Sequence, residues 1–337
     1  MDIKRINLAL QGGGAHGAFT WGVLDRLLEE DALEVAAISG TSAGALNGAA
    51  LKAGWVSGGR EGARENLDWL WAQMGAVHDL RMPAWMAASV PGAVSAAMEY
   101  AMPMTFVDAV SQTLSPYAYG PFYSNPLRRV VERFAYDKIC ADKAPLLSVG
   151  ATNVRNGKIR IFQGDEIGAD ALLASACLPT LFQAIEIDGE AYWDGGYTGN
   201  PALFPLFKAD LPSDIVIVNI NPLERPDLPC TAQEIENRIN EISFNSSLLR
   251  ELRAIGFVQR LLDAGTVPEG AMKRLHVHMI ADDRLMAELS VMTKMVPNPY
   301  LLSRLKEAGR IAADRFLAAH WDDLGVRGST DLSEMFG

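Results

Sequence analysis

The chain has 337 residues, about half of them hydrophobic (49%), and a formal net charge of −11. That length and composition support one large α/β domain or two ordinary ones with a sizeable core. The negative charge, with no basic cluster beyond pairs such as Arg128-Arg129, argues against nucleic acid as a partner and against electrostatic docking on anionic lipid. Three widely spaced cysteines, Cys140, Cys177 and Cys230, fit neither a disulfide framework nor a zinc site, and point to a reducing compartment.

Met1 to Arg5 lead straight into a first predicted strand, Ile6 to Leu10, with no signal-peptide apolar region. Gln11-Gly12-Gly13-Gly14-Ala15-His16-Gly17 follows, then a helix to about Glu30. Val35 to Ile38 reads as a buried strand, and Ala45 to Leu51 as a helix of small residues. Between them lies Gly40-Thr41-Ser42-Ala43-Gly44, in the strand–turn–helix setting of a nucleophile elbow. Gly54 to Gly59 reads as a loop and Glu61 to about Met74 as a helix.

Residues 75–125 concentrate methionine and tryptophan and are cut by five prolines. Such side chains suit either an irregular core or a surface that adapts to acyl chains. Pro126 to Phe134 reads as a helix, Leu146 to Thr152 and Lys158 to Phe162 as a hairpin about Asn156-Gly157, and Asp170 to Ala176 as a short helix. Asp188-Gly189 predicts a second hairpin whose outgoing strand ends in Asp194-Gly195-Gly196. Ile215 to Ile220 is a continuous apolar strand, as a parallel sheet requires. Thr231-x-x-Glu234 opens a long helix to about Asp263, Leu275 to Ile280 reads as a late strand, and Tyr300 to Trp321 as a final helix. No stretch reaches the roughly 18 apolar residues of a membrane span. A soluble cytoplasmic protein, with at most transient contact with a membrane surface, is expected.

Ser42 is the candidate nucleophile, exposed at a helix N-terminus where developing negative charge is favoured. Successive glycines allow N–H groups to converge on one point, so Gly12, Gly13 and Gly14, with Ala43, are candidates for an oxyanion hole. Asp194 is the candidate base; Asp188 is the rival, though a hairpin turn explains an aspartate there. A Ser–His–Asp order could use His276 or His278, but a strand offers no exposed loop for a base. Gly12-x-Gly14-x-x-Gly17 also matches a dinucleotide fingerprint, yet the next strand ends in Ala37-Ile38-Ser39 without the acidic residue that motif needs.

Gly12-Gly13-Gly14-x-x-Gly17, Gly40-Thr41-Ser42-Ala43-Gly44, Ala174-Ser175-Ala176 with Pro179, and Asp194-Gly195-Gly196 together resemble the patatin-like phospholipases over about the first 220 residues. The resemblance implies a three-layer α/β/α fold with a mostly parallel central sheet. It also implies a Ser42–Asp194 dyad acting on lipid or acyl-ester substrates through an acyl-enzyme, with no cofactor and no metal. Residues 1–225 would be the catalytic core, with the Met/Trp-rich stretch as an insertion, and 226–337 a mainly helical part packed on the same domain. His16 stands where many members have Arg or Lys, so a cation there would depend on pH. An acyltransferase of the same fold and a non-catalytic acyl-lipid binder remain as alternatives.

Overall fold

The computed structural model describes residues 3–79, 115–118, 123–268, 270–289, 291–295 and 297–336. Most of the Met- and Trp-rich stretch thus lies outside the described residues. The strands are β1 (Lys4–Leu10), β2 (Leu33–Thr41), β3 (Leu146–Asn153), β4 (Ile159–Gln163), β5 (Ile185–Ile187), β6 (Glu190–Asp194), β7 (Asp214–Val218) and β8 (His276–Ile280). The helices are α1 (Gly17–Leu27), α2 (Ala43–Asp79), α3 (Arg128–Val131), α4 (Tyr136–Ile139), α5 (Ala169–Ser175), α6 (Ala232–Asp263), α7 (Asp283–Glu288), α8 (Pro299–His320) and α9 (Leu332–Phe336).

The strands form one mostly parallel sheet in the order β5-β6-β3-β2-β1-β7-β8, with β4 also paired to β3. Alternation along the central strands assigns each residue to a layer. Leu8, Leu10, Val216 and Val218 face the core shared with α1, α2 and α8. Ala9, Ile215 and Ile217 face the other way, onto Leu248, Leu252 and Ile255 of α6. Helices therefore cover both faces, which is why the central strands read as unbroken apolar runs.

The C-terminal part is built into this frame. β8 extends the sheet beside β7, and α8 packs along α1. That crossing is close because both helices offer glycine: a Cβ on Gly22 would lie 1.9 Å from the Lys306 carbonyl oxygen, and one on Gly309 would lie 2.0 Å from that of Phe19. Buried Asp25 of α1 ties the layer together, meeting Arg64 of α2 at 2.9 Å and also Arg310 of α8. Buried Asp214 similarly anchors the chain end: its carboxylate meets His278 Nε2 at 3.0 Å and accepts from Gly325 N–H at 2.9 Å, while His278 Nδ1 bonds Ser329 Oγ. His278 thus holds the C-terminal segment, at the end of the sheet away from Ser42, while His276 lies 3.5 Å from the same Asp214 carboxylate.

One sequence expectation fails locally. Gly54 to Gly59 is not a loop; α2 continues through it, and only Gly58 and Gly59 leave helical geometry. Gly54 is there for contact instead, since a Cβ would strike the Gly62 carbonyl oxygen at 2.1 Å where the two halves of the helix fold past each other. The two hairpins form as expected, with positive φ at Gly157, Asp188 and Gly189.

Candidate active site

β3 brings Ser42 and Asp194 together. β2 runs along one edge of β3 and its last pair is Thr41 with Gly150. The next residue of β3, Ala151, pairs with Asp194 of antiparallel β6. β4 takes the other edge of β3 over the same residues, so β2 and β6 must share one edge, meeting end to end. Ser42 leaves the end of β2 at the point where Asp194 ends β6.

Ser42 has φ of 55°, a left-handed conformation that is costly for a residue with a side chain. The turn is forced by its glycines. A Cβ on Gly44 would sit 2.1 Å from the Leu10 carbonyl oxygen, and one on Gly40 would sit 2.6 Å from that of Gly44. Ser175 of α5 braces the turn: its hydroxyl accepts from Ser42 N–H at 2.9 Å and donates to the Gly150 carbonyl at 2.6 Å.

Asp194 is wholly buried. Its backbone is pinned by Cys177 O at 2.8 Å and Thr152 Oγ1 at 2.8 Å, and its Oδ1 accepts from Gly196 N–H at 2.8 Å. Burial raises its pKa from the usual carboxylate range to about 7, with the Gly196 N–H and the nearby Ser42 hydroxyl pulling the other way. Ser42 is thus close enough to influence the carboxylate, yet Oδ2 closes no well-formed hydrogen bond with any described group. Asp188, by contrast, sits in its hairpin turn with φ of 52°.

The glycine loop after β1 lies against the elbow, where a Cβ on Gly12 would come within 2.6 Å of Ser42 Cβ. Gly12 itself is clamped by Asn200, which accepts from its N–H at 2.6 Å and donates to its carbonyl at 3.3 Å. The Gly12 N–H is therefore spent, which removes it from the expected oxyanion set. No described residue accepts from the N–H groups of Gly13, Gly14 or Ala43. Behind the loop, buried Gln11 Oε1 accepts from Ile220 N–H, Asn221 N–H and Asn221 Nδ2, and Asn221 Nδ2 also reaches the Gly12 carbonyl at 3.0 Å.

His16 is buried and bonds Thr293 Oγ1 at 2.7 Å. Burial, and secondly the charge of Lys294, hold its pKa well below the usual imidazole value. It is neutral at pH 7, so it does not supply a cation to the loop.

Asn200, Asn221 and Lys294 were not singled out by sequence reasoning. The available signal was a polar residue directly following an apolar strand, as Asn219 and Asn221 follow β7, and an asparagine six positions beyond Asp194. Among the described residues no group of three or more His, Cys, Asp or Glu is placed to hold a metal, and no helix is long and apolar enough to cross a membrane. A separate cleft lined by Arg260, Arg274, His276 and Arg327 lies beside the N-terminal end of β8, away from Ser42.

Fold and site define a three-layer α/β protein with a serine on a strained strand–helix elbow and a buried aspartate beside it. The patatin-like phospholipase family model matches residues 8–207, more than half the chain, and the protein belongs to that family. Membership places it among lipid acyl hydrolases in general. VipD from Legionella pneumophila is similar in structure at 14% identity and a TM-score of 0.41, over 94% of this chain and 67% of VipD. No curated protein matches significantly.

Proposed function

We propose that the protein is a serine hydrolase of lipid carboxylic esters, with Ser42 as nucleophile and Asp194 as its base. The observation that carries this reading is the meeting of the two residues at one edge of β3, with Asp194 Oδ2 buried and unpartnered and its carboxyl titrating near neutrality. A serine hydroxyl needs a base, and an ordinary aspartate near pH 7 is a weak one. A carboxylate with pKa about 7 is matched to the task.

In the first step Ser42 Oγ attacks the ester carbonyl carbon and its proton passes to Asp194 Oδ2. The carbonyl oxygen becomes an oxyanion, met by the free N–H groups of Gly13, Gly14 and Ala43. Collapse of the tetrahedral intermediate breaks the bond to the alcohol oxygen, which takes the proton from Asp194. Water, deprotonated by Asp194, then attacks the carbonyl carbon of the acyl-Ser42 ester; collapse of that second tetrahedral intermediate breaks the bond to Ser42 Oγ, which takes the proton back from Asp194, and the carboxylic acid leaves. The reading needs no cofactor and no metal, and it assigns the Met- and Trp-rich segment to acyl-chain contact at a lipid surface.

The test is a fluorophosphonate, which should add one adduct per chain, on Ser42, with none in Ser42→Ala. Unchanged labelling of Ser42→Ala would move the nucleophile elsewhere. A panel of acyl esters with product analysis separates hydrolysis from acyl transfer to another alcohol.

A further inference from the structure

We propose that Lys294 is a positioning residue for this chemistry: as the cation behind the glycine loop, it holds Gly12 to Gly14 in the geometry that receives the oxyanion. The proposal rests on the hydrolase reading above. It replaces His16, which burial keeps neutral, as the source of positive charge beside the loop.

Lys294 lies in a short 3₁₀ turn, Val291–Met295, that covers the loop. Its main chain packs directly on Gly14: φ there is +57°, and a Cβ would meet the Lys294 carbonyl oxygen at 2.2 Å. Its ammonium donates to Asn221 Oδ1 at 2.7 Å and approaches Asn240 Oδ1 at 3.4 Å. Asn221 in turn donates to the Gly12 carbonyl and to Gln11 Oε1. The ammonium thus fixes which way the Asn221 amide points, because only its carbonyl oxygen can accept from Lys294. That leaves Nδ2 to bond Gly12 and so sets the loop's peptide plane.

The same ammonium lies 6.0 Å from the Phe244 ring centre, and that ring packs on Gly196, two residues beyond Asp194. Lys294 therefore touches the supports of both halves of the site. Its positive charge behind the loop also favours the negatively charged transition state over the neutral substrate. The charged and titratable groups around it are Glu241 and Arg225, which pair with each other, and His16. Burial pulls the Lys294 pKa down to about 8, with Glu241 raising it and Arg225 lowering it further.

The experiment compares wild type, Lys294→Met and Lys294→Arg on a short, neutral acyl ester, with fluorophosphonate labelling of each. Lys294→Met should lower kcat about tenfold or more while KM stays within about twofold, less than the 100- to 1000-fold typical of a direct oxyanion donor. Labelling at Ser42 should slow in proportion yet still reach one adduct per chain. Wild-type turnover should fall on the alkaline side with a midpoint near the Lys294 pKa of about 8. In Lys294→Arg that limb should move above pH 9, since guanidinium stays charged. A folded Lys294→Met with wild-type kcat, or an unmoved alkaline limb in Lys294→Arg, overturns the proposal; the second readout holds even if the Met variant does not fold. Absence of Ser42 labelling in wild type would instead reject the underlying hydrolase reading.

Discussion

Replacing Asp194 with asparagine should abolish turnover and at the same time stabilise the fold at neutral to alkaline pH. The carboxyl is buried without a cation, and its pKa rises from 3.8 to about 7. A group whose folded pKa lies above its unfolded value binds a proton on folding, so stability is fullest below the unfolded pKa and falls as pH rises through the folded one. Three units at about 1.4 kcal/mol each give about 4 kcal/mol, lost between roughly pH 4 and pH 7. Asparagine keeps the shape and can still accept from Gly196 N–H, yet it has no charge to bury. Its advantage over wild type should therefore be small near pH 4 and grow to a plateau above pH 7. For a chain of this size that is roughly 5 °C or more in Tm. The assay is thermal unfolding of both proteins from pH 4 to 8.5, beside kcat/KM for wild type, which should rise with pH to a midpoint near 7. Parallel Tm curves, or an acid limb centred near 4, would refute an Asp194 carboxyl held out of water.

Gly13→Ala should fold and lose much of its turnover, because its Cβ meets only the movable end of Ile220 at 2.9 Å, whereas Gly14→Ala should also unfold more easily against the Lys294 carbonyl; Tm and kcat separate the two. Gly309→Ala should cost about 3 kcal/mol or more by prising α8 from α1, measured by denaturant unfolding. Asp214 behaves oppositely to Asp194: burial alone would raise its pKa, but His276, His278 and the Gly325 N–H together depress it. Its stabilisation is present above the unfolded pKa near 4 and is lost as the pH falls below it. Asp214→Asn should thus cost about 3 kcal/mol at pH 7 and make Tm less sensitive to acid; an equally stable variant at pH 7 would speak against that anchor.

Much of the fold was legible because it is written in local periodicity. The unbroken apolar run at Ile215 to Val218, the capping box at Thr231 and the Asp188-Gly189 turn each specify their element from a few neighbouring residues. Ser42 and Asp194 stand out for a similar reason, since the glycines beside them mark turns too tight for side chains. What the sequence withholds is long-range. Gly54 reads as a loop residue, and only the approach of Gly62 explains it as a contact in a helix. Asn200, Asn221 and Lys294 are ordinary polar residues until folding carries them to the glycine loop, although they stand 188, 209 and 282 positions from Gly12 in the chain. The neutrality of His16 depends on burial and on Lys294, and neither can be read from Gly14-Ala15-His16-Gly17.

The end-to-end seating of β2 and β6 on β3 has a consequence for how the chain can change. Ser42 and Asp194 are separated by about 150 residues, yet their spacing is set by one peptide step along β3, from Gly150 to Ala151. Loops of the intervening chain can lengthen or shorten without moving the pair, so long as β3, Ser175 and Cys177 keep their places. A slip of β6 by a single residue is different, for it would turn the Asp194 side chain to the opposite face of the sheet. The site is therefore tolerant of insertion and intolerant of misregistration, and Thr152, which ties the Asp194 carbonyl to β3, is where that register is locked.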